Sequence, residues 1–155
     1  EAIEIRTADQ LQEIDHLIIP GGESTTMMKL LASFKMDQIL IERVQAGELS
    51  VFGTCAGAIL LADDHLNLID CSIERNAYGR QVDSFAASLH IQGIDEEINV
   101  SFIRAPKITR VGEGIEVLAE HDGDPVLVQS KNVTIGTFHP ETNGSDAIHR
   151  MWLNS

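Results

Sequence analysis

The sequence predicts an α/β protein: a mostly parallel sheet with helices on both faces and added antiparallel strands. Three observations point there. The first half of the chain alternates short apolar runs with helical patterns, the signature of a sheet covered on both sides. The second half reads as consecutive strands joined by polar or Gly-rich turns such as His121-Asp122-Gly123-Asp124. The 155 residues are 43% hydrophobic and 23% charged, which suits one domain, residues 1–155, with a sizeable core.

Taken in order, Ala2-Ile3-Glu4-Ile5 reads as a short strand, and Thr7 to Glu13 as one or two helical turns capped by Thr7. Leu17-Ile18-Ile19 is a buried strand stopped by Pro20-Gly21-Gly22. Ser24, Thr25 and Thr26 open a helix whose apolar positions include Met27, Leu30, Leu31 and Phe34. Asp37 to Gln45 is a second helix, with Ile39, Leu40 and Val44 facing inward and Gly47 ending it. Leu49 to Gly53 is another buried strand, and Ala56 to Ala62 has helical composition. Ser72-Ile73, Ser84 to Ile91, Asn99 to Ile103, Ile115 to Ala119, Val126 to Gln129 and Val133 to Phe138 read as strands, and Ala147 to Leu153 as a closing helix.

Charge narrows the functions available. With 24 acidic and 11 basic side chains the formal net charge is −13, which opposes binding to nucleic acid or to an anionic membrane surface. No apolar run approaches the roughly 20 residues of a membrane span. Cys55 and Cys71 do not make a disulfide framework, so a reducing cytoplasm is the expected compartment.

The sharpest local feature is Val51-Phe52-Gly53-Thr54-Cys55-Ala56-Gly57. An apolar strand runs into Gly-x-Cys-x-Gly and then a helical segment, the nucleophile-elbow pattern with Cys in place of Ser. The glycines let the turn close without side-chain clash. The turn sets Cys55 at a helix N-terminus, where the dipole and free N–H groups favour a thiolate. A buried structural cysteine is the plainer reading, and Cys71, between Asp70 and Ser72, is read that way.

A thiol nucleophile needs a base within reach. His16, His65, His90, His121 and His149 lie in polar or loop-like settings and read as surface residues. His139 follows an apolar strand and precedes Pro140-Glu141. Pro140 biases His139 towards extended backbone, so His139 and Glu141 point to one side and the carboxylate can orient the imidazole. A surface loop would also explain Phe138-His139-Pro140-Glu141, but beside the elbow it completes a Cys-His-Glu triad candidate. Gly21-Gly22-Glu23-Ser24, between strand and helix, lacks the Gly-Lys-Ser/Thr ending of a phosphate loop. It is either an ordinary Gly-rich turn or an oxyanion hole in which the Gly22 and Ala56 N–H groups converge on one carbonyl oxygen. Arg75 and Arg104 are either partners in structural ion pairs or contacts for a substrate carboxylate. No metal-ligand spacing stands out.

Together these segments resemble the class I glutamine amidotransferases and, within them, the glutaminase subunits of pyridoxal 5′-phosphate synthase. The likeness rests on Pro20-Gly21-Gly22-Glu23-Ser24-Thr25-Thr26-Met27, Gly53-Thr54-Cys55-Ala56-Gly57 and Glu74-Arg75-Asn76-Ala77-Tyr78-Gly79-Arg80-Gln81 with Asp83-Ser84-Phe85. Phe102-Ile103-Arg104-Ala105-Pro106 and Phe138-His139-Pro140-Glu141 complete it, so that it spans nearly the whole chain. It implies a three-layer, flavodoxin-like fold and hydrolysis of L-glutamine through a cysteine thioester, without metal or cofactor. Cys55 would be nucleophile, His139 base and Glu141 its orienter; Gly22, Glu23, Ser24, Arg75, Ile103 and Arg104 would contact glutamine. The ammonia would pass to a separate (β/α)₈-barrel synthase subunit in a hetero-oligomeric complex serving vitamin B6 biosynthesis, and docking on that subunit would activate the glutaminase. Measured against this family, an opening strand, loop and helix before Glu1 are expected and absent. Several residues are also missing after Ala62-Asp63-Asp64, and the closing helix stops early, at Ser155. Two other readings remain at this stage: a different elbow-type cysteine hydrolase, peptidase-like or acting on γ-glutamyl conjugates, and a non-catalytic regulatory binding subunit.

Overall fold

The computed structural model describes residues 2–75 and 84–155. The chain opens with helix α1 (Ala8–Gln12), then strand β1 (His16–Ile19), helices α2 (Ser24–Ser33) and α3 (Met36–Gln45), strand β2 (Ser50–Thr54) and helix α4 (Ala56–Leu61). Strands β3 (Cys71–Glu74), β4 (Phe85–Leu89), β5 (Ile98–Phe102), β6 (Lys107–Val111), β7 (Glu116–His121), β8 (Asp124–Ser130) and β9 (Val133–Gly136) follow. A 3₁₀ turn over Pro140–Asn143 and helix α5 (Ala147–Leu153) complete it.

The central sheet has the order β1-β2-β9-β8-β7. β1, β2 and β9 run parallel, in a register that sets Ile18 beside Phe52 and Phe52 beside Thr134. β8 and β7 continue the sheet antiparallel. β3–β6 and β4–β5 form two separate antiparallel pairs.

Because β2 is covered on both sides, its consecutive residues serve different cores. Val51 packs with Leu11, Leu40, Val44, Leu49, Leu61 and Ile135 on the face carrying α1 to α4. Phe52 packs with Leu127, Phe138, Ile148 and Trp152 on the face carrying α5 and the β4–β5 pair. This alternation is the structural meaning of an unbroken apolar run: neither face of the strand meets water. The helices obey local rules. Thr7 caps α1 with a reciprocal box, its hydroxyl accepting from the Gln10 N–H at 3.3 Å while its own N–H donates to Gln10 Oε1 at 3.2 Å. The apolar stripe of α3 is Met36, Leu40 and Val44, with Ile39 half-buried beside it.

Two expectations change. Ala2 to Ile5 is not a strand: Ala2, Ile3 and Glu4 are exposed, Ile5 alone touches the core, and among the described residues no neighbouring strand satisfies the backbone. Conversely, Lys107–Val111 is a strand that periodicity misses, because Ile108 and Val111 are spaced by three and the ladder to β3 is broken by a register shift at Ser72/Ile73. Along α2 and its C-cap, Leu30 and Phe34 are 51% and 57% exposed, so only part of the expected apolar stripe packs inward.

Unequal burial predicts unequal costs. Leu40→Ala, at a fully buried position, lowers stability by about 3 kcal/mol in urea unfolding, whereas Leu30→Ala costs less than about 1 kcal/mol.

Candidate active site

Parallel strands place their carboxyl ends on one side of a sheet, and three segments of interest leave from those ends. Gly21–Ser24 follows β1, Cys55 follows β2, and His139 lies three residues beyond β9. The elbow begins with glycine packing. A Cβ on Gly53 would lie 2.6 Å from the Gly57 carbonyl, and one on Gly57 would drive into the Ile19 carbonyl oxygen of β1. Both positions must be bare for α4 to start against β1 and β2. Cys55 absorbs the sharp reversal with φ 51° and ψ −108°, a strained conformation of the kind that costs about 1–3 kcal/mol. Its N–H donates to the Gly136 carbonyl at 2.9 Å, tying the turn to β9.

The thiol lies 4.0 Å from the Ile103 carbonyl oxygen, so the Phe102–Ala105 segment passes directly over it. Sequence reasoning expected the helix terminus to favour thiolate. Burial outweighs it and pushes the Cys55 thiol up; a hydrogen bond from the Ala56 N–H works the other way, and the Glu141 charge adds to the upward shift.

His139 is held from three sides. Its N–H donates to the Ser101 carbonyl of β5 at 2.8 Å. Its Nδ1 is 2.7 Å from Glu141 Oε1, and since a carboxylate only accepts, Nδ1 carries a proton, so that in the neutral ring the lone pair is on Nε2. Gly21 closes the third side: a Cβ there would fall 2.6 Å from His139 Cε1. The expected extended run through Glu141 is replaced by a 3₁₀ turn. Only His139 is extended, and Pro140, whose fixed φ suits a first helical position, starts the turn that brings the carboxylate back.

The remaining candidates divide. Glu23 is the N-cap of α2, its carboxylate accepting from Thr25 N, Thr26 N and the Thr26 hydroxyl at 2.6–3.0 Å. Those bonds, led by the Thr26 hydroxyl, hold its pKa below the ordinary 4.5, at about 2. The side chain is thus committed to the helix. Ser24 is buried as the first residue of α2, and Gly22 lies exposed on the loop before it. Arg75 reaches the same place, donating to the Thr25 hydroxyl at 3.3 Å. Ile103 flanks the thiol, and Arg104 is an exposed residue with φ 46°. Residues 76–83, which carry the rest of the Arg-Asn-Ala-Tyr-Gly-Arg-Gln stretch and Asp83, lie outside the described residues. Sequence reading missed His65, taken as a surface histidine. It is half-buried with Nε2 2.8 Å from Arg75 Nη2, a contact between loops that no local spacing announces. Among the described residues, no group of three or more His, Cys, Asp or Glu is arranged to hold a metal ion.

Fold and geometry define a class: α/β elbow proteins with a cysteine at the strand-to-helix turn. The comparisons narrow it. Residues 1–154 match the SNO glutamine amidotransferase family, and the chain belongs to that family. It is 44% identical over 157 residues to the pyridoxal 5′-phosphate synthase subunit PdxT of Thermosipho africanus, covering 97% of this chain and 83% of that protein. It is 45% identical over 161 residues to the PdxT of Thermotoga petrophila, covering 99% and 85%. A crystal structure described as a glutamine amidotransferase superposes with a TM-score of 0.94 at 42% identity, over 99% of this chain and 85% of that one.

The Glu23 cap predicts a pH signature. A carboxyl group whose folded pKa of about 2 lies below its ordinary 4.5 stabilises the fold fully above 4.5, and that contribution is lost as pH falls from 4.5 towards 2. The stability difference between wild type and Glu23→Ala, followed by urea unfolding, is therefore largest near neutral pH and shrinks steadily below pH 4.5.

Proposed function

We propose that this chain is the glutaminase subunit of a pyridoxal 5′-phosphate synthase, releasing glutamate and ammonia from L-glutamine. One observation carries the reading: the sheet edge that presents Cys55 on its elbow also presents the His139–Glu141 pair, joined at 2.7 Å. The family membership and the names borne by the PdxT relatives support it.

In this reading the Cys55 thiol gives its proton to His139 Nε2 as its sulfur attacks the side-chain amide carbon of glutamine. The C–N bond then breaks, the proton passes to the leaving nitrogen, and ammonia departs from a thioester. Water, deprotonated by the same imidazole, cleaves the thioester, returning the thiol and releasing glutamate. Negative charge on the carbonyl oxygen of each tetrahedral intermediate is met by the N–H groups of Gly22 and Ala56. Glu141 keeps Nδ1 protonated, so Nε2 faces the chemistry. Gly22, Glu23, Ser24, Arg75, Ile103 and Arg104 line the glutamine site, Glu23 acting there through its backbone. Ammonia goes to a (β/α)₈-barrel synthase subunit, in a hetero-oligomeric complex in the cytoplasm. The two unpaired cysteines favour a reducing compartment, and no helix among the described residues is long and apolar enough to cross a membrane.

Cys55→Ala should lower glutamate release, assayed with the synthase subunit present, by at least about 10³-fold while leaving cooperative urea unfolding intact. Hydrolysis persisting in that variant, or wild-type cleavage of γ-glutamyl peptides in preference to glutamine, would sink the assignment.

A further inference from the structure

The triad leaves one arrangement unexplained. Arg75, just beyond β3, donates from Nη1 to the Thr25 hydroxyl at 3.3 Å and stands 2.8 Å from His65 Nε2 through Nη2. Thr25 belongs to the first turn of α2. His65 belongs to the turn that follows α4, its N–H bonded to the Ala62 carbonyl at 3.3 Å. An exposed arginine samples many rotamers. Here two anchors on separate elements hold the fork at the first turn of α2.

The chemistry of the anchors matters as much as their positions. A guanidinium has donors only, so the His65 nitrogen facing it must carry the lone pair, and the ring is neutral with its proton on Nδ1. Carboxylates lie close by: Asp63, Asp64 and Glu74 line the same cleft. Asp63 gives its Oδ2 to Ser72 and Arg110, its Oδ1 has no hydrogen-bond partner among the described residues, and among them Arg75 makes no ion pair. Glu23, two residues before Thr25, spends its carboxylate on the α2 cap. Arg75 is thus fixed by a neutral imidazole and a hydroxyl, which orient the fork without cancelling its charge.

We propose that His65 is a positioning residue for substrate binding: it holds the Arg75 guanidinium, charge uncompensated, where the α-carboxylate of glutamine docks. The inference rests on the reading of Arg75 as a glutamine contact.

The test uses the chain assembled with its synthase subunit. His65→Ala should raise the KM for glutamine about tenfold with kcat within about twofold, the size expected for losing a hydrogen bond that orders a charged group. His65→Gln, whose amide oxygen can reach the place of Nε2, should bring KM back to within about threefold of wild type. Iodoacetamide, which lacks the amino-acid head, should alkylate Cys55 at the wild-type rate in both variants. A diazoketone analogue of glutamine, which carries that head, should inactivate His65→Ala about tenfold more slowly at subsaturating concentration. An unchanged KM in His65→Ala alongside a raised KM in Arg75→Met overturns the role of His65 and leaves Arg75 standing. An unchanged KM in both variants overturns both. Failure of His65→Gln to restore KM, or slowed iodoacetamide labelling of His65→Ala, overturns the positioning role in favour of a structural one.

Discussion

The close approach of α4 to the first two parallel strands sets the terms for the rest of the structure. Gly57 lies so tightly against the Ile19 carbonyl, and Gly53 against Gly57, that a methyl group at either would push the helix off the sheet. With the helix seated, the chain has a single residue in which to turn from strand to helix. Cys55 takes the whole reversal, at φ 51°. The strain is offset by what surrounds it: the bond from Cys55 N–H to Gly136, the buried Ala58 and Leu61 of α4, and the core beneath β2. A conformation that is costly alone persists because its neighbours over-determine it.

The same seating explains the electrostatics. A thiol at a helix start is ordinarily helped towards its anion. The turn here presses Cys55 beneath the Ile103 segment and near the Glu141 carboxylate, so desolvation and a like charge oppose ionisation. In the proposed reaction the elbow therefore supplies geometry, and the proton leaves through the imidazole. In that proposal Glu141, on the far side of His139, fixes which ring nitrogen of the neutral imidazole has a lone pair to offer.

The sequence revealed more of the site than of the sheet. The cysteine elbow, the His139–Glu141 pair and the loop after β1 were legible because each is a short run whose residue types answer to one local constraint. A Gly-x-Cys-x-Gly turn says what its backbone must do; His-Pro-Glu announced the pairing of its side chains, though not the 3₁₀ turn that achieves it. Strands buried on both faces, such as Val51–Thr54 and Val133–Gly136, were legible for the same reason. Lys107–Val111 was not, since its strand character comes from pairing across a bulge with β3, far away in the chain. Nor was the failure of Ala2–Ile5 to form a strand, which finds no neighbour to pair with among the described residues. The role of Glu23 was half legible: its place at the start of α2 could be read, but not that its carboxylate would be spent on capping.

What joins these fragments into one site is topology. β1, β2 and β9 run parallel, so the segments after them meet at one edge although they are separated by about half the chain or more in the case of His139. β5 adds to that edge from outside the sheet, since Ser101 bridges to His139 and the residues after it cover the thiol. A motif reading supplies the parts, and the parallel order supplies their meeting point. Contacts such as His65 with Arg75 follow from neither. They link a turn and a strand end that no sheet register brings into line, and so they surface only when side chains are followed atom by atom.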